Sequence, residues 1–196
     1  MTKNKNLSQK MIEQITITSM VMTIFFTVIY DVYHISLALT LAITFGTTCY
    51  HLGMRLMVGW MISRLLPEKI NDGNLWFREK RFETALYRKL KVKQWKKRMP
   101  TYHPDDFSLA FHSVDEIIQT TCISEVSHEI NIIFSFVPLT FSLLFDSFMV
   151  FLITSVLAAF FDLCFVMMQR YNRPRLRKIL KMQQNQKKKL KKFGFP

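Results

Sequence analysis

Apolar residues are concentrated in two blocks of the chain, with a long polar stretch between them. The first block contains residues 12–30 and 35–62, and the second contains residues 130–145 and 147–168. A helix needs about 20 mostly apolar residues to cross a bilayer, so each block holds enough for two crossings. The pattern therefore predicts an all-α integral membrane protein with four transmembrane helices arranged as two hairpins. The expected short turns within the hairpins are residues 31–34, which begin at Asp31, and residues 145–147, which centre on Asp146.

The polar stretch of residues 63–124 has a helical periodicity of its own. Asn74 is an expected N-cap, and Pro100 marks an expected helix end. Between them, apolar residues recur three or four positions apart, with lysines and arginines interleaved. These apolar residues are Phe82, Ala85, Leu86 and Leu90, followed by Val92, Trp95 and Met99. We expect an amphipathic cytoplasmic helical pair on the inner leaflet, for which simple anchoring to the membrane surface is the alternative.

The approach to the third span also has a local helix signal. Ser113-Val-Asp-Glu116 matches a capping box, in which the two end side chains bond the free amides at a helix start. The apolar pattern continues from Val114 into the span, which predicts one long helix with a kink near Pro138. Beyond the fourth span, the lysine-rich residues 187–192 are predicted to be solvated and partly disordered.

Charge gives an orientation for this topology. All 27 lysines and arginines lie in residues 3–10, 55–98 and 170–192. Basic residues near span ends stay in the cytoplasm, so both termini and the central stretch are expected there, in a multi-pass protein of the cell membrane. The expected segments are a cytoplasmic N-terminus (1–11), a first transmembrane hairpin (12–62), a cytoplasmic amphipathic region (63–124), a second hairpin (125–168) and a basic cytoplasmic tail (169–196). The first span lacks a small-residue cleavage site and is expected to be retained.

Several function classes lack their sequence signatures. The formal net charge is +13, but no zinc-finger, RRM or helix-turn-helix pattern accompanies it, so anionic lipid headgroups or phosphorylated substrates are expected rather than nucleic acid. Cys49, Cys122 and Cys164 form no disulfide framework or CxxC zinc site. No Gly-x-Ser-x-Gly, Walker loop or GxGxxG is present. No permanently bound cofactor or metal is expected, although one metal on His51, His128 and carboxylates stays open.

Ionisable residues inside apolar segments are the candidate chemical groups, because each costs a few kcal/mol to insert, on the order of 3 kcal/mol at a span centre. Glu125 and His128 are three residues apart and share a helix face, so the carboxylate can orient the imidazole as a general base. Interfacial polar residues tied to helix ends are the alternative. The further candidates for substrate binding are His51, Arg55, Glu129, Asp162, Arg170, Arg173 and Arg175, of which the arginines suit phosphate.

Three segments of the chain resemble the bacterial glycosyl-4,4'-diaponeurosporenoate acyltransferase family. They are residues 87–100, the Thr121-x-x-x-Glu125-x-x-His128 motif and residues 169–176, within a resemblance that covers residues 76–180. The resemblance implies a membrane enzyme that moves a fatty acyl group from acyl-CoA or a similar donor onto a sugar hydroxyl. It also implies functional positions at Glu125, His128, Trp95 and the Asn172–Arg173–Pro174 run. Glu129 departs from the family, which often has Trp there.

The leading hypothesis is an acyltransferase whose site lies at the inner leaflet. His128 is the expected base, Glu125 its orienting carboxylate, and the arginines the expected ligands of donor phosphates. A non-catalytic scaffold for a lipid- or polysaccharide-modifying enzyme is one alternative. A small transporter is the other, since Arg55 and Asp162 lie within spans.

Overall fold

The computed structural model describes residues 7–67, 69–100, 104–145 and 147–192, with side chains from residue 10 to residue 190 of these ranges. The described residues contain helices and no strand. The α-helices are α1 (Leu7–Tyr33), α2 (Ser36–Leu65), α3 (Glu83–Lys89), α4 (Val92–Trp95), α5 (Val114–Phe134), α6 (Ser142–Phe145) and α7 (Phe148–Lys192). Short 3-10 helices occupy Leu75–Phe77, Lys96–Arg98, Pro104–Phe107 and Val137–Phe141.

Four helical segments are long and apolar enough to cross a membrane, as predicted. They are Lys10–Tyr33, Ser36–Leu65, Val114–Phe145 and Phe148–Leu190. Many of their large apolar side chains are exposed; Ile17 and Ile24 on α1 are 61% and 59% exposed. Such a surface suits contact with lipid rather than water, and the helices satisfy their own backbone hydrogen bonds. The chain is therefore an all-α, multi-pass membrane protein.

The chain divides into two compact units. The first unit contains Met1–Leu65 and Ser127–Cys164, and the second contains Leu66–Val126 and Phe165–Pro196. Helices α5 and α7 each contribute residues to both units. Each unit is built around its own buried carboxylate.

In the first unit, α1 packs against α2, and the rings of Phe26 and Phe45 stack with their centroids 5.7 Å apart. The turn between these helices lies at the end of the predicted turn, residues 31–34. Asp31 is still helical, because α1 continues to Tyr33, and the chain reverses through His34, whose φ is +52°. The other predicted turn centres on Asp146, which lies outside the described residues.

The start of α5 has the predicted capping box. The Ser113 amide donates to Glu116 Oε2 at 2.8 Å, and the Glu116 amide donates to Ser113 Oγ at 3.3 Å. The predicted kink near Pro138 is instead a change of helix type: α5 ends at Phe134, and a 3-10 helix covers Val137–Phe141. A proline has no amide hydrogen and its ring clashes with the carbonyl four residues earlier, and for Pro138 that residue is Phe134, where α5 ends.

In the second unit, the apolar stripe of α3 lies on the surface. Phe82, Leu86 and Leu90 are exposed, whereas Glu83 and Tyr87 are the buried positions of α3. Asn74 does act as an N-cap, but for the 3-10 helix Leu75–Phe77, where its side chain accepts from the Trp76 amide at 3.2 Å. The buried face of α3 is therefore formed by an acidic residue and a tyrosine, and the apolar stripe lies on the exposed face.

The lysine-rich segment also differs from the prediction, because α7 continues as a helix to Lys192. Residues 175–192 contain neither glycine nor proline and consist largely of lysine, arginine, glutamine and leucine. These residue types have high intrinsic helix propensity. Residues 193–196 of the predicted tail, and residues 1–6 of the predicted N-terminal segment, lie outside the described residues.

Candidate functional site

Asp162 of α7 is the centre of a polar cluster in the first unit. Its side chain is fully buried, and Oδ1 lies 2.8 Å from Nδ1 of His128 on α5. Oδ2 forms an ion pair with Nη2 of Arg55 on α2 at 2.6 Å. An ionised carboxylate only accepts hydrogen bonds, so Nδ1 of His128 carries the proton in this contact. The imidazole lone pair is then on Nε2.

Arg55 is fixed by contacts with its own helix α2 and with α7. Besides Asp162, its guanidinium donates to the His51 carbonyl at 2.9 Å and to the Ala158 carbonyl at 3.0 Å. It also lies over the ring of Phe161, 5.6 Å from the centroid. Arg55 therefore neutralises the buried Asp162 and holds it in one orientation, as a buried charge requires.

Buried polar atoms without partners lie near this cluster along the same helices. His51, one turn before Arg55 on α2, is 5% exposed. Neither of its ring nitrogens has a hydrogen-bond partner among the described residues, and the same holds for Oδ1 of Asn131 and Oγ of Ser155. Asn131 donates to Asp162 Oδ1 at 3.4 Å. Buried polar groups in folded proteins are nearly always satisfied, so these atoms have unused bonding capacity.

Glu125 is the centre of a second polar cluster, in the second unit. It is fully buried, and Oε1 accepts from Nη1 of Arg170 at 2.6 Å, while Oε2 forms an ion pair with Nη2 of Arg173. Arg170 also pairs with Glu83 at 2.7 Å. This arrangement of two carboxylates and two arginines is the Glu125 network.

The two arginines of the Glu125 network donate to further protein oxygens. Arg170 donates to the carbonyls of Trp76 and Arg78, both at 2.9 Å. Arg173 is 1% exposed, donates to Oγ1 and the carbonyl of Thr121 at 3.1 and 3.0 Å, and lies over the Phe77 ring. With these donors occupied, the two arginines bind protein groups, and their contact with donor phosphates stays a prediction.

Glu125 and His128, which were predicted to contact each other, each have a partner from another helix. Both carboxylate oxygens of Glu125 are in ion pairs with arginines, and Asp162 is the carboxylate on Nδ1 of His128. Spacing along one helix identified two residues that lie near the same face, but each has partners from other parts of the chain. Asp162, predicted as a pocket residue, takes the position expected for Glu125.

The remaining predicted residues have varied surroundings. Trp95 donates through Nε1 to the Leu90 carbonyl at 3.0 Å. Asn172 accepts from Nζ of Lys96 at 2.5 Å, and Arg175 stacks on the Tyr171 ring at 3.5 Å. Glu129 is half-buried on α5. The described residues contain no group of three or more His, Cys, Asp or Glu side chains arranged to hold a metal ion.

Sequence reasoning missed Glu83, Tyr87 and Asn131. Burial, with a smaller contribution from Glu83, raises the pKa of Tyr87 above its ordinary value of 10.0, so its hydroxyl stays neutral beside the Glu125 network. Asn131 had a usable signal, because it is a polar residue in an apolar run three positions after His128. Glu83 had none, since a charged residue on a short helix normally faces solvent.

Comparison with known proteins gives a family for the chain. Residues 73–182, more than half of the 196, match the glycosyl-4,4'-diaponeurosporenoate acyltransferase family. No curated protein and no solved structure matches the chain. The matched segment contains His128, Asp162 and the whole Glu125 network, whereas His51 and Arg55 precede it. The chain belongs to the glycosyl-4,4'-diaponeurosporenoate acyltransferase family.

Proposed function

We propose that the protein is a membrane acyltransferase that moves a fatty acyl group onto a hydroxyl of a lipid-like or glycosylated acceptor at the inner leaflet. The observation that carries the proposal is the contact between His128 Nδ1 and Asp162 Oδ1 at 2.8 Å, in a chain of an acyltransferase family. The basic residues lie in three groups, and the long stretches between these groups contain no lysine or arginine. This distribution favours a cytoplasmic location for both termini. A site at that side has access both to lipid chains and to a water-soluble donor.

His128 is the proposed general base. Nε2 takes the proton of the acceptor hydroxyl as its oxygen attacks the carbonyl carbon of a thioester donor. The new carbon–oxygen ester bond forms, the carbon–sulfur bond breaks, and the leaving thiolate receives the proton from His128. Free thiol and acylated acceptor are the products, and His128 returns to its neutral state.

Asp162 is the proposed positioning residue for His128. Its carboxylate fixes the tautomer with the proton on Nδ1 and stabilises the imidazolium that forms during transfer. Arg55 holds the other oxygen, Oδ2, at 2.6 Å. This second contact holds the carboxylate in place beside Nδ1 of His128.

His51 and Asn131 are proposed to bind the acceptor. Their unpartnered buried atoms, the ring nitrogens of His51 and Oδ1 of Asn131, offer both a donor and acceptors. The hydroxyl groups of a glycosylated or lipid-like acceptor have matching capacity. Binding such an acceptor satisfies atoms that otherwise cost free energy in a buried site.

The experiment that tests the proposal compares His128→Gln with the wild type and with His112→Gln. Gln removes the base while keeping a polar side chain, so acyl transfer is expected to fall by about 10³-fold or more. His112 is a matched control because it is partly exposed and its ion-pair partner is Glu116 at the start of α5, at 3.6 Å. Transfer is measured with a radiolabelled thioester donor and extracted membrane lipids, alongside thermal unfolding.

Full transfer by folded His128→Gln protein contradicts the mechanism. Absence of transfer by the wild type with every thioester donor, together with a stably co-purifying enzyme, favours the scaffold interpretation. Solute movement in reconstituted vesicles without acyl transfer favours the transporter interpretation.

A further inference from the structure

A basic cavity in the second unit is lined by none of the four residues of the Glu125 network, although Tyr87 beside that network forms part of its wall. It has a volume of about 540 Å³ and lies among the α3–α4 segment and the C-terminal part of α7. Glu79 is the one carboxylate among its lining residues in the described part of the chain, and its Oε1 accepts from Thr84 at 2.7 Å. Five cationic side chains line the cavity, namely Arg88, Lys91, Lys93, Arg175 and Lys178.

These five cations differ from the other arginines of the second unit. Arg170, Arg173 and Arg177 are each in an ion pair with a carboxylate. None of the five lining cations has an ion pair with a carboxylate of the described residues. Like charges that converge on one cavity raise the local positive potential and attract an anion. The cavity therefore has positive charge that is not neutralised by a carboxylate of the described residues, whereas the arginines of the Glu125 network are paired.

The surroundings of Lys96 reflect this accumulation of charge. Lys96 lies over the Tyr171 ring, 4.7 Å from the centroid, and Arg175 packs on the same ring at 3.5 Å. Burial, followed by the charge of Arg175, lowers the pKa of Lys96 below its ordinary value of 10.5. An anion bound nearby would relieve the repulsion between these two cations.

The backbone at Lys91 is a second unusual feature of the cavity. Lys91 has φ +52° and ψ +37°, a left-handed conformation that is uncommon for a residue with a long side chain. It separates α3 from α4 and brings its side chain to the cavity wall. Strained conformations of this kind cluster at ligand sites, where the surrounding structure maintains them.

A neighbouring cavity of about 540 Å³ extends the basic surface. It shares Glu79, Pro174 and Lys178 with the first cavity and adds Arg78, Arg177 and Lys181. Positive side chains therefore line two adjoining cavities. A single phosphate group would occupy only one of these cavities. The arrangement fits a ligand that carries phosphate at two positions.

We infer that these two adjoining cavities bind the phosphate groups of a water-soluble, multiply phosphorylated acyl donor of the coenzyme A thioester class. This inference rests on the proposed acyltransferase function and assigns the donor to residues outside the Glu125 network. Lysine and arginine side chains form charge-assisted hydrogen bonds with phosphate oxygens, which are stronger than neutral ones. A singly charged lipid headgroup has the same chemistry but leaves most of these cations unused.

The test measures binding of free coenzyme A to the full-length protein in phosphatidylcholine nanodiscs by calorimetry. Lys91→Gln/Lys178→Gln removes one cation from each side of the first cavity, and Kd is expected to rise about 10-fold or more. Lys187→Gln/Lys188→Gln is the matched control, because it removes the same charge from exposed positions of α7 that line neither cavity. We expect Kd to change less than about 2-fold in this control.

A second probe separates phosphate recognition from general attraction. 3'-Dephospho-coenzyme A is expected to bind the wild type about 10-fold more weakly than coenzyme A, and the difference is expected to shrink in Lys91→Gln/Lys178→Gln. Equal weakening by both lysine pairs overturns the inference, as does an absence of coenzyme A binding. An effect of Lys91→Gln/Lys178→Gln confined to association with phosphatidylglycerol nanodiscs also overturns it, since the site then recognises a lipid headgroup.

Failure of this inference is distinguishable from failure of the proposed function. If the wild type transfers acyl groups but its coenzyme A affinity is unaffected by Lys91→Gln/Lys178→Gln, the cavities are not the donor site. If coenzyme A binds as expected but no acyl transfer occurs, the donor site stands and the acyltransferase proposal fails. His128→Gln is expected to keep wild-type affinity for coenzyme A in either case.

Discussion

Asp162 in the first unit and Glu125 in the second are both fully buried carboxylates, but they are neutralised differently. Asp162 has one arginine and one histidine as partners, and polar atoms with unused bonding capacity lie on the same helices. Glu125 has two arginines, whose remaining donors are taken by Glu83, Thr121 and backbone carbonyls. The first arrangement places an imidazole on the carboxylate, whereas the second pairs its two carboxylates with arginines and leaves Oε2 of Glu83 without a hydrogen-bond partner among the described residues.

The comparison indicates that the most recognisable motif residues need not be the reacting ones. Glu125 and Arg173 belong to the segments that carry the family resemblance, yet their contacts are those of a structural network. Both carboxylates are in buried ion pairs, so replacing either one destabilises the fold. Only replacement of the proposed positioning residue Asp162 is expected to lower the kcat of the folded protein as well. Variants at the two carboxylates therefore test the comparison directly.

The largest effect on activity is expected from Asp162→Asn. The amide keeps the shape but loses the charge that fixes the His128 tautomer, so kcat is expected to fall by about 10³- to 10⁴-fold. Steady-state acyl transfer, with Asp115→Asn on the exposed side of α5 as the control, measures this effect. If folded Asp162→Asn protein retains more than a tenth of wild-type kcat, Asp162 is not the positioning residue.

The largest effect on stability is expected from Glu125→Ala. It leaves Arg170 and Arg173 without a buried counter-charge, and the expected loss is about 3 to 5 kcal/mol of unfolding free energy. Thermal unfolding in detergent checks the loss, and activity is expected to fall in proportion to the folded fraction. A Glu125→Ala protein that unfolds at the wild-type temperature but transfers no acyl group would instead make Glu125 a participant in the reaction.

The smallest effect concerns Tyr87, beside the Glu125 network. Its pKa is raised above 10.0, so the folded protein favours the neutral phenol. The stability that this contributes is fully present below pH 10 and is lost as pH rises through the raised pKa. Tyrosinate absorbance of folded wild type minus that of Tyr87→Phe is therefore expected to be near zero at pH 10, where an ordinary tyrosine is half ionised. A half-ionised signal at pH 10 would show that Tyr87 is solvated.

Local signals in the sequence were sufficient for part of the fold. The four spans follow from the length of the apolar runs, because the residues that cross the hydrocarbon core of the bilayer have to be mostly apolar. The Ser113–Glu116 capping box was also predictable, since its hydrogen bonds join residues three positions apart. The burial of α3 was not, because Glu83 faces inward to meet Arg170, which is 87 positions away in the chain.

The candidate site, like the fold, was predictable from the sequence only in part. The sequence by itself identified the ionisable residues within the spans, since a charge in an apolar segment needs a partner whatever the fold. Only the tertiary structure decided the partners: Asp162 for His128, Arg55 for Asp162, and Arg170 with Arg173 for Glu125. Partner choice depends on distances between helices that are far apart in the chain, and helical periodicity within one segment contains no information about them.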